Sequence, residues 1–160
     1  MPNSPRKDRL IKEYIHDPYF TKEKYPDPSI CTRCGVVFHN GIFEWIEPPP
    51  KNASKMTCPA CRRIMDRYEG GIVHLEGEFL QKHKDEILNL IKNVEEEEMK
   101  YRPLERILSI EDKGNELIIK TTYEHLARRI GEAVHRAYKG DMKLQYPEST
   151  KYVRVWWKRD

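Results

Sequence analysis

Two Cys-x-x-Cys pairs, one apolar stripe at helical period and a late run of strand-like segments around a second helix predict an α+β fold. The first observation predicts a four-cysteine zinc ribbon, the second a linker helix, and the third a small ββαββ antiparallel sheet domain. The expected boundaries are an N-terminal arm over 1–28, the ribbon over 29–75, an amphipathic helix with an acidic end over 76–100 and the ββαββ domain over 101–160. A chain of 160 residues with 38% apolar content fits two small cores better than one large one.

In the arm, Pro2, Pro5, Pro18, Pro26 and Pro28 discourage regular structure, although Asp8 to Ile15 can form two helical turns. Tyr14, Tyr19, Phe20 and Tyr25 alternate there with Arg and Lys. Such side chains either stack on unpaired bases and pair with phosphate, or pin the arm to its own domain, which is the commoner use. Arg6, Lys7, Asp8 and Arg9 precede no apolar signal core, and no apolar run reaches membrane-spanning length. A cytoplasmic protein without a membrane partner is expected.

Cys31, Cys34, Cys58 and Cys61 are all the cysteines of the chain, with 23 residues between the inner two. A two-residue spacer lets each pair present two thiolates to one ion at ~2.3 Å, and four sulfurs close a tetrahedron. The expected cofactor is therefore one structural Zn2+, with no open position for water or substrate. Gly35 lets the chain turn away after the first pair, and Pro59 stiffens the second turn. Asn40-Gly41 between Val36-Val37-Phe38 and Ile42-Phe43 reads as a hairpin. Two disulfides are the alternative and need an oxidising compartment. A redox pair needs a strand-to-helix junction of a βαβ unit, which neither pair is read as having. Arg62, Arg63 and Arg67 follow the second pair as a cationic rim, and after Gly70-Gly71 the segment Ile72 to Leu75 reads as a third ribbon strand. His39, His74 and His83 read as surface or packing residues, since four cysteines need no further ligand.

From Glu78, Leu80, His83, Ile87, Leu90, Ile91 and Val94 recur at helical steps. Glu95 to Glu98 is expected to end that helix, because four carboxylates oppose the dipole at a C-terminus, and Pro103 stops any continuation. Leu104 to Glu111 and Glu116 to Thr121 then read as a hairpin around Gly114. Thr121 and Glu124 have capping-box spacing for a second helix, whose buried stripe is Leu126, Ile130, Ala133, Val134 and Ala137 and which Gly140 can end. His125, Arg128, Arg129, His135, Arg136 and Lys139 lie mostly off that stripe as a candidate cationic surface. Met142 to Tyr146 and Tyr152 to Lys158 complete the ββαββ order around Pro147-Glu148-Ser149-Thr150.

Alternation in the last strand puts Val153, Val155 and Trp157 on one side and Tyr152, Arg154, Trp156 and Lys158 on the other. If the aliphatic set packs inward, the outer face shows stacking aromatics beside phosphate-pairing cations, joined by Lys143 and Gln145 from the neighbouring strand. The candidate nucleic-acid-binding residues are thus Arg62, Arg63, Lys143, Tyr152, Arg154, Trp156 and Lys158. The alternative is that Trp156 covers an edge of the core or a second helix. Net charge is only +3, but residues 1–75 carry 12 Lys/Arg against 9 Asp/Glu, residues 76–100 carry 4 against 8, and residues 101–160 carry 13 against 9. A basic, acidic, basic order can present one cationic face to a polyanion, or can be ordinary solvated charge. No phosphate loop, nucleophile elbow or H-E-x-x-H helix is present, so no nucleotide substrate and no enzyme activity are expected.

His16-Asp17-Pro18-Tyr19, Cys31-Thr32-Arg33-Cys34-Gly35, Cys58-Pro59-Ala60-Cys61-Arg62-Arg63, Glu86-Ile87-Leu88-Asn89-Leu90 and His125-Leu126-Ala127-Arg128 together span nearly the whole chain. In these segments the chain resembles a bacterial family of short cytoplasmic zinc-ribbon proteins. That family is grouped with the export adaptor of the large ribosomal subunit, nonsense-mediated-decay protein three, which carries more cysteines than the four found here. The resemblance implies a ribosome or RNA partner. Some relatives are labelled ATPases, for which this chain has no phosphate loop. Two functions follow as expectations: a zinc-binding, RNA- or ribosome-associated non-catalytic protein, or a protein–protein adaptor using the ribbon and the Leu80 to Val94 stripe. An enzyme is third.

Overall fold

The computed structural model describes residues 25–147 and 151–160; expectations for the arm up to residue 24 and for 148–150 lie outside them. Among the described residues the chain is mixed α+β, with two small sheets and four helices. The first sheet holds β1 (Ser29–Cys31), β2 (Val37–His39), β3 (Ile42–Glu44) and β4 (Ser54–Met56) in the order β3-β2-β1-β4. Asn40 and Gly41 take φ of 54° and 82°. Two consecutive positive values are what a two-residue type I′ turn requires, so the Asn-Gly hairpin forms where the sequence places it. Phe38 and Phe43 pair directly across it with ring centroids 5.0 Å apart. Tyr25, an arm aromatic, is buried 5.7 Å from Phe38, which is the pinning use of such a residue.

Helix α1 (Pro59–Asp66) follows with Pro at its first position, where the missing N–H costs nothing, and stops at Arg67 with φ 55°. The next strand, β5 (Gly71–Glu76), is not a third ribbon strand. It is the central strand of a second sheet, ordered β6-β7-β5-β9-β8, with β6 (Ile107–Asp112), β7 (Glu116–Thr121), β8 (Asp141–Gln145) and β9 (Val153–Lys158). Val73 and Leu75 are fully buried there, in a core the small cysteine sheet does not offer. Gly70 and Gly71 permit the approach: a Cβ on Gly70 would lie 2.5 Å from Thr122 O, and one on Gly71 2.6 Å from Ala127 Cβ. Because β5 runs antiparallel to β7 and parallel to β9, the sheet is five-stranded and mixed, where a four-stranded antiparallel sheet was expected.

The linker helix is two helices, α2 (Glu78–Lys82) and α3 (Lys84–Tyr101), divided at His83, whose ring stacks on Phe79 at 4.1 Å. Leu80, Ile87 and Ile91 are fully buried. The acidic run does not end α3, because its carboxylates have partners from other elements. Glu95 accepts the Ile107 N–H at 2.6 Å, and Glu98 meets His125 at 2.9 Å and Arg129 at 3.1 Å. Burial works against an ionised Glu98, but the Arg129 and His125 hydrogen bonds hold its carboxyl below the usual range. Part of the expected cationic surface is thus spent on the acidic run.

Helix α4 (Glu124–Tyr138) packs Leu126, Ile130 and Val134 onto Val73, Ile119, Val155 and Trp157 of the sheet, and α3 packs beside it. Its capping box does not form. Thr121 is still the last residue of β7 and gives its hydroxyl to Tyr123 O at 2.7 Å, so the N-cap is Tyr123, without a side-chain bond to the helix. The third helical amide, Leu126 N–H, donates instead to Glu105 Oε1 at 2.9 Å. Among the described residues no helix is long and apolar enough to cross a membrane.

Candidate functional site

Cys31 ends β1, and Cys34 follows in a turn closed by Gly35 N–H on Cys31 O at 2.9 Å, with Gly35 at φ +86°. The second pair is built differently: Cys58 is the N-cap of α1 and Cys61 its third residue, whose N–H points at Cys58 Sγ at 3.4 Å. This pair therefore does lie at a strand-to-helix junction, between β4 and α1. It is still no βαβ redox unit, since β4 and β5 belong to different sheets. A helix N-terminus favours anionic sulfur, and Cys58 N–H also points at Cys31 Sγ at 3.3 Å.

The four sulfurs lie within 4.8 Å of one another, and the Cys31–Cys61 and Cys34–Cys58 separations are both 3.8 Å. A tetrahedral ion bound at ~2.3 Å needs sulfurs about 3.8 Å apart, whereas a disulfide needs ~2.05 Å. The cluster could hold a metal ion, and all four cysteines are free thiols. Crowding sets the sulfurs against one another. Cys58 is pushed up because its thiol hydrogen-bonds Cys31 and Cys34, Cys31 is held down as the acceptor from Cys34 and Cys58, and burial pushes Cys61 up. Four ionised sulfurs so close require a cation among them, which is the chemistry of a metal-binding donor set.

One such cation comes from outside the cysteine module and was not foreseen. Arg106, 7% exposed, donates from Nη2 to Cys34 Sγ at 3.1 Å, from Nη1 to Cys61 Sγ at 3.5 Å and from Nε to Pro103 O at 2.8 Å. Burial opposes its charge, but the bonds to sulfur outweigh that and hold its pKa above the ordinary arginine value. Its guanidinium also lies 5.7 Å from the Trp45 ring centroid, and Trp45 N–H bonds Met99 O at 2.8 Å on α3. The signal was present in the sequence: strand alternation puts Arg106 in phase with Leu104, Leu108 and Ile110, and a charge on an apolar face requires a partner.

The second candidate site is the outer face of the five-stranded sheet. Val153, Val155 and Trp157 are buried to 1% exposure or less, so Arg154, Trp156 and Lys158 point outward. Register sets Trp156 between His74 and Lys143, and Lys158 between Glu76 and Asp141. The His74 and Trp156 rings stack at 5.9 Å and 10°. Arg154 lies 5.3 Å over the ring of Tyr152, whose hydroxyl bonds Glu69. Lys143, Arg154 and Lys158 are exposed, whereas Tyr152 and Trp156 are half-buried. Arg63 does not join them. It is 5% exposed, donates to Thr122 O at 2.9 Å and stacks on Tyr123 at 4.3 Å, because the docking of α1 against the β7–α4 junction needs it. Arg62, half-buried on α1, lies outside this sheet.

His39 bonds Asp27 at 2.7 Å and His83 bonds Glu86 at 2.9 Å, away from the sulfur cluster. No family model, no curated protein and no solved structure matches the chain.

Proposed function

We propose that this is a zinc-binding, RNA- or ribosome-associated protein of the cytoplasm that performs no catalysis. The cysteine module is read as a zinc-ribbon variant whose second pair opens a helix. Four thiolates at tetrahedral spacing suit zinc, and sulfur at every corner keeps water and substrate from the ion, so the metal builds structure. The observation that carries the RNA reading is the phase of β9: its aliphatic residues and Trp157 fill the core, which leaves Arg154, Trp156 and Lys158 beside Lys143 on the open face. Flat rings that stack bases beside cations that hold phosphate are the equipment of a single-strand-binding sheet.

The adaptor reading loses the helix stripe, because Leu80, Ile87 and Ile91 are inside the core. The deciding experiment is binding of single-stranded RNA to the metal-loaded chain across a salt series. Affinity is expected to fall steeply with salt, and Trp156→Ala to weaken it roughly 5- to 100-fold without unfolding the protein. Absence of binding at low salt, or binding indifferent to Trp156, refutes the reading.

A further inference from the structure

A cavity of about 500 Å³ opens over the end of β5, β9 and β8, lined by Glu76, Asp141, Lys143, Trp156 and Lys158 among others. These five all belong to the outer phase of their strands, while the other two lining residues, Met142 and Trp157, belong to the inner phase that packs on the core. Lys158 stands in register between two carboxylates, yet among the described residues neither lysine and neither acid makes an ion pair. Nor, among the described residues, does the Trp156 indole N–H have a hydrogen-bond partner. Elsewhere on this face Lys120 lies 3.5 Å from Glu69, His74 lies 3.1 Å from Glu116, and Arg154, without an ion pair among the described residues, lies over the Tyr152 ring. The unpaired groups are therefore concentrated where the cavity is.

We propose that this cavity takes the base of a single unpaired guanine, with the Trp156 indole as its stacking surface and Glu76 as the reader of its Watson–Crick edge. The inference rests on the RNA reading above and names the nucleotide. Guanine alone presents two adjacent N–H donors, N1–H and the N2 amine, on that edge, and a carboxylate has two parallel acceptor oxygens. Adenine and cytosine set a ring-nitrogen acceptor beside their amine, which a carboxylate repels. Uracil's one N–H lies between two carbonyls. Glu76 is assigned over Asp141 because it is half-buried on the central strand, whereas Asp141 is exposed on the edge strand, and a partly desolvated carboxylate discriminates more strongly. Lys143 and Lys158 flank the base where the neighbouring phosphates would run.

The test uses the full metal-loaded chain and fluorescence anisotropy with eight-residue oligouridylates whose central position is guanine, inosine, adenine, cytosine or uracil, at low salt. Guanine is expected to bind roughly 5- to 100-fold tighter than the other standard bases. Inosine, which lacks the N2 amine, should lose most of that advantage with no change to the protein. Glu76→Gln should bring guanine down to the level of uracil while leaving the uracil oligomer's affinity unchanged or slightly higher. Equal affinity for all five oligomers overturns the guanine assignment and leaves the RNA reading standing. Inosine binding as tightly as guanine overturns the carboxylate contact. No binding of any oligomer overturns both readings together.

Discussion

Arg106 Nη2 lies 3.1 Å from Cys34 Sγ, a contact spanning 72 positions of sequence. It fastens the β6 end of one sheet to the sulfur cluster of the other. Four thiolates around a dication would carry net negative charge, and this buried guanidinium would offset part of it.

Arg106→Met keeps bulk and removes the charge, so two N–H bonds to sulfur vanish. Metal affinity should fall by about 10- to 100-fold, as for other groups that hydrogen-bond to ligands. Arg106→Lys should recover only part, since one ammonium cannot serve both sulfurs and Pro103 O. Competition with a chromogenic chelator measures it; an unchanged affinity in Arg106→Met would show that Arg106 only docks the two sheets.

Elemental analysis should find one zinc per chain, and Cys58→Ser should lose it. Cys58 is fully buried, provides a sulfur and caps α1, so its loss touches metal and helix at once. Chelation should therefore change the fluorescence of Trp45, which stands beside Arg106 and bonds the end of α3. A chelated protein with unaltered fluorescence and melting would count against a structural metal.

Glu105 supplies a pH dependence. Burial pushes its carboxyl up from 4.5 to about 7, against the Leu126 N–H bond that favours the ion. The folded chain thus holds this proton more tightly than the unfolded chain. Its contribution to stability is complete below about 4.5 and is lost as pH rises to about 7, by about 3 kcal/mol at most. Glu105→Gln should remove that slope, matching the parent near pH 5 and exceeding it at pH 8 in urea denaturation. Parallel pH profiles for the two proteins would refute it.

Gly131 lies inside α4, where alanine is ordinarily better by ~1 kcal/mol. Here a Cβ would lie 2.5 Å from Val155 Cγ1, a buried β-branched side chain with little freedom to move. Gly131→Ala should therefore destabilise by roughly 1–3 kcal/mol. A higher melting temperature in that variant would mean that the helix can lift from the sheet at little cost.

Trp156 and Trp157 should separate cleanly. Trp157, 1% exposed in the main core, should cost roughly 3–5 kcal/mol as Trp157→Ala, while Trp156→Ala should cost much less and should instead weaken the proposed RNA binding. Equal losses in thermal denaturation would make Trp156 a core residue and remove the open-face argument.

Features set by spacing of a few residues are legible in the amino-acid sequence by itself. The Cys-x-x-Cys pairs, the Asn40-Gly41 turn and the β9 alternation each depend on backbone geometry over two to six residues, and local sterics dictate that geometry wherever the segment lies. Only the tertiary structure decided which sheet receives β5, what stops the acidic run from ending α3, and which cation faces the sulfurs. Ile72 to Leu75 could pair with any free edge until the core under α4 offered Val73 and Leu75 full burial. Glu98, Glu105 and Arg106 found partners 27, 21 and 72 positions away. A buried charge is satisfied by whatever group the packing brings within about 3 Å, and that distance is a property of the folded chain, which no local period encodes.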